Sequence, residues 1–231
     1  VLRRRLPEHH FEDHPRDVGK LVMGLVATLA ALVLGLLIAS TKSFYDTQTA
    51  ELQSLSVKIV GLDRVLGEYG TAAGPARAEL RRVVEEGYRR LAGTPDAASI
   101  HLARGEAAPA IIAMRQLVRA LPAETDAQRQ LRGSAVQLAG EIVDTRLLMS
   151  EQVNASLNWP FVLVLVFWIS VLFLGFGLYT PANATVVAAL LMGAVSVASA
   201  MFLIDEMSRP YEGLIRVSAA PLQLALMQMG Q

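Results

Sequence analysis

The chain contains no cysteine. Disulfides, thiolate metal sites and cysteine nucleophiles are therefore excluded, and the redox compartment is left open. An excess of either charge is lacking too: 21 Lys and Arg balance 21 Asp and Glu, so no global basic field points to nucleic acid. Charge is scarce altogether, at 18% of 231 residues. No Gly-rich phosphate loop, nucleophile elbow or metalloprotease helix occurs. Carboxylate pairs such as Glu85 and Glu86 sit among arginines on a solvated helix face. The chain thus reads as non-enzymatic, with no cofactor expected. Alternation of apolar and polar residues at period two is also missing, so an all-α protein is expected.

What the chain has in abundance is apolar residues, 53% of the total, more than an ordinary soluble domain carries. They are concentrated in three runs. The first span, residues 21–41, holds "LVMGLVATLAALVLGLLIAS", twenty residues without a charge. The second covers residues 159–180 and the third residues 183–205. At ~1.5 Å per residue, twenty helical residues cross the ~30 Å hydrocarbon core of a bilayer. The short link "TPANA" makes the second and third spans an antiparallel hairpin. Trp159 and Tyr179 mark the ends of the second span, where amphipathic rings favour the headgroup level.

Residues 42–158 are of a different kind, with balanced charge. Leu52, Leu55, Ile59, Leu62, Leu66 and Tyr69 recur at steps 3, 4, 3, 4, 3, a heptad seam. Tyr45 and Gln48 extend that register back toward the membrane, and no Pro or Gly interrupts residues 40–60. The first membrane helix is thus expected to continue outward as a stalk. A second helix is expected over "GPARAELRRVVEEGYRRLAG", with Ala76, Leu80, Val83, Tyr88 and Leu91 on one face, and a short one over residues 110–121. A last one over residues 124–158 carries Leu131, Ala135, Leu138, Ile142, Thr145 and Met149 at steps 4, 3, 4, 3, 4 and leads into the second span. The expected architecture is an extramembrane four-helix bundle inserted between the first two spans. Its seams either close the bundle of one chain or pack in part against a neighbouring copy.

Arg3, Arg4, Arg5, Arg16 and Lys20 in the basic juxtamembrane segment, residues 1–20, precede the first span, and only Lys42 and Lys58 follow it closely. The positive-inside rule puts that segment in the cytoplasm and the bundle outside, in the periplasm if the cell is Gram-negative. Within the spans there is no Asp, Glu, Lys, Arg or His before the exit at Asp205, so a charged proton relay is not expected. A channel with an apolar constriction needs no such charges. Small residues recur every fourth position: Ala27, Ala31, Gly35 and Ala39 on the first span, and the pairs Ala189 and Gly193, and Ser196 and Ala200, on the third. Such stripes let helices approach closely in lipid, within a chain or between chains.

Residues 206–231 form a polar exit and an apolar tail. Asp205 and Glu206 end the third span, with Arg209 within pairing reach of Asp205, Pro210 as a helix stop, then Tyr211 and Gly213. They are either a polar cap on the helix exit or, in a ring of copies, a charged pore mouth. "AAPLQLALMQMGQ" is too short to span and is expected at the membrane surface or on a neighbour. His10 and His14, at i and i+4 in "EHHFEDHP", are weak candidates for a metal site, because Pro15 follows at once and the "HExxH" order is missing.

Several of these segments, "LPEHH", "DVGKLVMGLVATLAALVLGLLIASTKSFYDTQ", "LDRVLGEYG", "DAQRQLRGSAVQLAGEI", "WPFVLVLVFWISVLFLGFGLYTPANATVV" and "FLIDEMSRPYEGLIRVSAAPL", resemble a bacterial membrane family described as bestrophin-like, of unknown function. The resemblance covers nearly the whole chain. Its most specific part is the acidic-x-x-Arg-Pro-aromatic-x-Gly pattern filled by Glu206, Arg209, Pro210, Tyr211 and Gly213. It implies a multi-pass protein of the bacterial inner (cytoplasmic) membrane. It also implies one more membrane helix ahead of the basic segment, which agrees with a first residue, Val1, that is not Met. The name evokes the bestrophin anion channels by analogy only. Two functions are therefore weighed: a homo-oligomeric ion channel, or a non-conducting scaffold whose bundle binds another envelope membrane protein.

Overall fold

The computed structural model describes residues 13–93, 107–154, 159–179, 183–211 and 214–229. All the regular structure among them is helical. In chain order the elements are α1 (Asp13–Tyr69), a 3-10 turn (Thr71–Ala73), α2 (Gly74–Ala92), α3 (Ala107–Arg119), α4 (Asp126–Asn154), α5 (Trp159–Tyr179), α6 (Ala184–Ser208) and α7 (Ala220–Gln228). They fall into two compact units, one of residues 1–43 with 157–208, the other of residues 44–156 with 209–231.

The first unit holds the apolar part of α1 together with α5 and α6, three helices long and apolar enough to cross a membrane. Only 6%, 11% and 6% of their most apolar segments are buried inside the chain. Leu21, Leu32, Phe167, Leu174, Leu191 and Val195 are all exposed. So much uncovered apolar surface is unfavourable in water and favourable in lipid. In lipid every backbone polar group must be satisfied within the segment, which a continuous helix achieves. The hydroxyls obey the same rule: those of Thr28, Ser170, Ser196 and Ser199 each donate to the carbonyl four residues back, at 2.8–2.9 Å. Asn183 caps α6, its Oδ1 accepting from the backbone N–H of Thr185 and Val186 at 3.0 and 3.2 Å.

Small residues decide where these helices touch. A Cβ on Gly193 of α6 would lie 3.7 Å from the Phe173 ring of α5, and the missing side chain of Gly175 on α5 admits the Met23 thioether of α1. Among the described residues nothing from another helix lies within 4 Å of the place the Cβ of Gly35 on α1 would take. Around it Ala31 and Ala39 are exposed and Ala27 is half-buried, while on α6 Ala189 and Ser196 are exposed and Ala200 is half-buried.

In the second unit α1 changes character without a break in its ladder. Leu52, Leu55, Ile59, Leu62, Leu66 and Tyr69 turn inward and are all buried. They share one core with Ala76, Leu80 and Val84 of α2, Ile111, Met114 and Val118 of α3, Ala135, Ala139, Ile142 and Met149 of α4, and Leu222 and Ala225 of α7. On α2 it is Val84, one turn beyond Leu80, that is fully inside, whereas Val83 is half-buried at the edge of the apolar stripe. Outside that stripe α2 carries Arg81–Glu85, Arg82–Glu79, Arg89–Glu86 and Arg90–Glu86 pairs. Helix α4 starts in a capping box: Thr125 Oγ1 accepts from the Gln128 N–H, and Gln128 Oε1 accepts from the Thr125 N–H.

Gly70 ends α1 at φ 93° and ψ −161°, a region essentially closed to residues with a Cβ. Across this turn Arg77 of α2 grips Asp63 of α1 with two hydrogen bonds of 2.9 and 2.8 Å, a bidentate fork. The tail differs from the surface or neighbour position expected for it. As α7 it packs on α2 of its own chain, where a Cβ on Gly87 would lie 3.8 Å from Leu222 Cδ1. Its inward residues Leu222 and Ala225 are buried, so the bundle core itself supplies the apolar partner.

Leu66→Ala empties a fully buried position and is expected to cost about 2–5 kcal/mol. Val57→Ala, at a side chain 72% exposed on the same helix, should stay within about 0.5 kcal/mol. Thermal unfolding of the full chain in detergent reads the difference.

Candidate functional site

Asp205 and Glu206 lie in the last turn of α6; Asp205 is exposed and Glu206 is buried. The Ser208 hydroxyl donates to the Asp205 carbonyl at 2.6 Å and closes that turn. Arg209 stands one residue past the helix end, and Pro210 is fully buried in the second unit. The Pro210 carbonyl accepts from the Val217 N–H at 2.8 Å, which folds the following segment back on itself. Gly213, like His10, lies outside the described residues. His14 belongs to α1, and the described residues include no group of three or more His, Asp or Glu able to hold a metal ion.

Tyr211 leads into a chain of buried polar side chains. Its hydroxyl donates to Gln48 Oε1 at 2.7 Å. Gln48 Nε2 donates to Gln152 Oε1 at 2.6 Å, and Gln152 Nε2 donates to Glu51 Oε1 at 2.9 Å. The other oxygen of Glu51 is buried without a hydrogen-bond partner among the described residues. Every donor points toward the Glu51 carboxylate. Carboxamides hold their protons, so this is a clamp rather than a proton wire. It ties the post-span segment (Tyr211) to α1 (Gln48, Glu51) and α4 (Gln152). A second strap lies beside it: the Tyr45 hydroxyl donates to the Arg216 carbonyl at 3.0 Å, and Arg216 Nη1 donates to the Gly93 carbonyl at 3.1 Å.

Burial raises the pKa of the Tyr211 hydroxyl; the nearby Arg146 guanidinium opposes that shift and Glu51 adds to it. Arg146 is held below the usual arginine range, first by burial and then by Arg90, with Tyr211 acting the other way. Among the described residues no carboxylate acts on Arg146, and its guanidinium makes no hydrogen bond or ion pair. Sequence reasoning passed over this residue. The signal was present: Arg146 follows Ile142 by four positions, on the inward face of α4. Gln48 was seen as part of the α1 register, yet a carboxamide in an apolar seam is itself a sign of a buried polar contact.

A family model described as a bestrophin-like domain matches residues 1–222. The chain belongs to the bestrophin-like family. No match was found among curated proteins or among solved structures. The match runs through the spans, the bundle and the exit segment of this bestrophin-like protein.

In this bestrophin-like protein Tyr211→Phe would leave the buried Gln48 oxygen without its donor, at an expected cost of about 1–3 kcal/mol near neutral pH. The Tyr211 pKa is raised above its ordinary value of 10.0, so the folded chain keeps a proton that the unfolded chain releases. The contribution is full below pH ~10 and declines as pH rises beyond it. Wild type should lose stability in that alkaline range more steeply than the Phe variant, as read by thermal unfolding from neutral to alkaline pH.

Proposed function

We propose that this protein is a homo-oligomeric ion channel of the bacterial inner membrane, with its helical bundle in the periplasm. The observation that carries the reading is the open small-residue stripe on α1. Among the described residues nothing from another helix comes within 4 Å of the place a Gly35 Cβ would take, and Ala31 and Ala39 beside it are exposed. In lipid, close backbone approach at such a stripe supplies the packing that draws helices together, and a second copy presents the same surface. The uncharged spans, in which the Thr28, Ser170, Ser196 and Ser199 hydroxyls are bonded to their own backbone, suit a pore with an apolar constriction. Exposed Asp205 in the last turn of α6 is then the charged group of the mouth.

Native mass spectrometry of gently extracted protein should find one closed oligomer of at least about four copies. Gly35→Leu should dissociate it, and Asp205→Asn should change ion selectivity in vesicle flux assays. A monomer that carries no flux would end this reading. The cysteine-free chain also allows a clean orientation test. Val57→Cys, at a position 72% exposed in the wild type, should react with an impermeant maleimide added to cells with a permeabilised outer membrane; labelling only after lysis would reverse the topology.

A non-conducting scaffold is the second reading. It is favoured by a groove on the bundle lined by Val57 and Val60 of α1 and Pro221 and Leu224 of α7, where Val57 and Leu224 are both exposed. A different envelope protein that co-purifies in fixed ratio, and is lost with Val57→Asp, would support it.

A further inference from the structure

The second unit holds a partly open cavity of about 220 Å³. Its walls are mostly apolar, with Leu55 and Ile59 of α1, Ile111 and Met114 of α3, Ile142 of α4 and Leu222 of α7. Its charged lining is three arginines, Arg82, Arg90 and Arg146, against one glutamate, Glu86. Two of these arginines have partners. Arg82 forks onto Glu79, and Arg90 donates to Glu86 at 2.8 Å. Glu86 is engaged twice, since Arg89 also reaches it at 2.7 Å. Its pKa is lowered, chiefly by the Arg90 hydrogen bond.

Arg146 is the group left over. It lies deep in the protein, on the inner face of α4, and it is half-buried because part of the surface it shows is cavity wall. A buried Lys can shed its proton to escape such a position, but a guanidinium does not deprotonate in proteins. Among the described residues no side chain pairs with this charge, which leaves it to an anion or to water, and an unpaired buried charge is costly. Water satisfies the guanidinium and leaves the apolar walls wet. A small inorganic anion does the same. An occupant with an anionic end and an aliphatic body satisfies both parts at once, as pockets with few polar groups on apolar walls do.

We propose that this cavity binds an amphiphile with a single anionic head, received by Arg146, and an aliphatic tail of medium length laid along the walls of α1, α3 and α4. A free fatty carboxylate and the phosphate of an acyl lipid share that chemistry. The site needs neither conduction nor assembly, so it stands apart from the channel reading.

The test uses the full chain in nanodiscs of zwitterionic lipid, titrated calorimetrically with octanoate and with octyl phosphate. At least one of them should bind saturably at one per chain, and the tighter names the source of the natural ligand. 1-Octanol, with the tail and no charge, and acetate, with the charge and no tail, should each bind at least about ten-fold more weakly. Arg146→Gln should weaken the tighter anion at least about ten-fold, whereas Arg81→Gln, at an arginine outside the cavity lining that pairs with Glu85, should bind as wild type does. Octanol binding as tightly as either anion, unaltered anion binding in Arg146→Gln, or heat that scales with lipid rather than protein would overturn the proposal. Should Arg146→Gln lose its helicity by circular dichroism, Ala110→Phe narrows the same cavity from α3. Unchanged anion binding in that variant would overturn the proposal equally.

Discussion

Helix α1 has to satisfy two solvents with one uninterrupted backbone ladder, and both units depend on how it does so. Through its first part, around Leu21 to Ile38, apolar side chains point in every direction, and the helix is stable only where its surroundings are apolar as well. From Leu52 to Tyr69 the apolar residues narrow to a seam that α2, α3, α4 and α7 cover, and the remaining directions carry polar groups. No Pro or Gly falls at the change, so nothing in the backbone marks it. The change lies wholly in the side chains. It stops at Gly70, whose backbone conformation other residues rarely adopt, and the Arg77 fork on Asp63 fixes α2 against the end of α1.

A second layer of order comes from the polar side chains inside that core. Apolar seams alone tolerate slippage by one turn, because Leu and Ile at neighbouring turns are nearly equivalent partners. Gln48, Gln152, Glu51 and Tyr211 remove that freedom, since a shift by one turn would strand several buried donors and acceptors at once. The chain also explains the place of the acidic-x-x-Arg-Pro-aromatic-x-Gly pattern in this structure. Its aromatic, Tyr211, anchors the segment after the last span to the bundle by way of Gln48. Its Pro210 is fully buried and receives the Val217 N–H.

The charges follow a different logic from the formal balance of the chain. On α2 Arg81, Arg82, Arg89 and Arg90 each have a glutamate three or four residues away, and such surface pairs contribute little to stability. Arg146 is the exception: among the described residues nothing pairs with it, and it lines a largely apolar cavity. A chain whose net charge is zero can therefore still hold a site of one sign, because the sum over residues carries no information about which charges face each other.

The three spans, the helical class, the inward seam of α1 and the Arg-Pro-Tyr exit were legible in the sequence. They rest on local quantities: run length against bilayer thickness, period against 3.6 residues per turn, and neighbours within one helix turn. Their boundaries moved by a few residues, as with α4, which begins at its Thr125 and Gln128 capping box. What tertiary structure alone decided is which distant residues meet. Tyr211 finds Gln48 across 163 positions and Gln48 finds Gln152 across 104. α7 joins the core of its own chain, and Arg146 faces a cavity rather than a carboxylate. Such pairings depend on how several helices share one volume, which no single segment specifies.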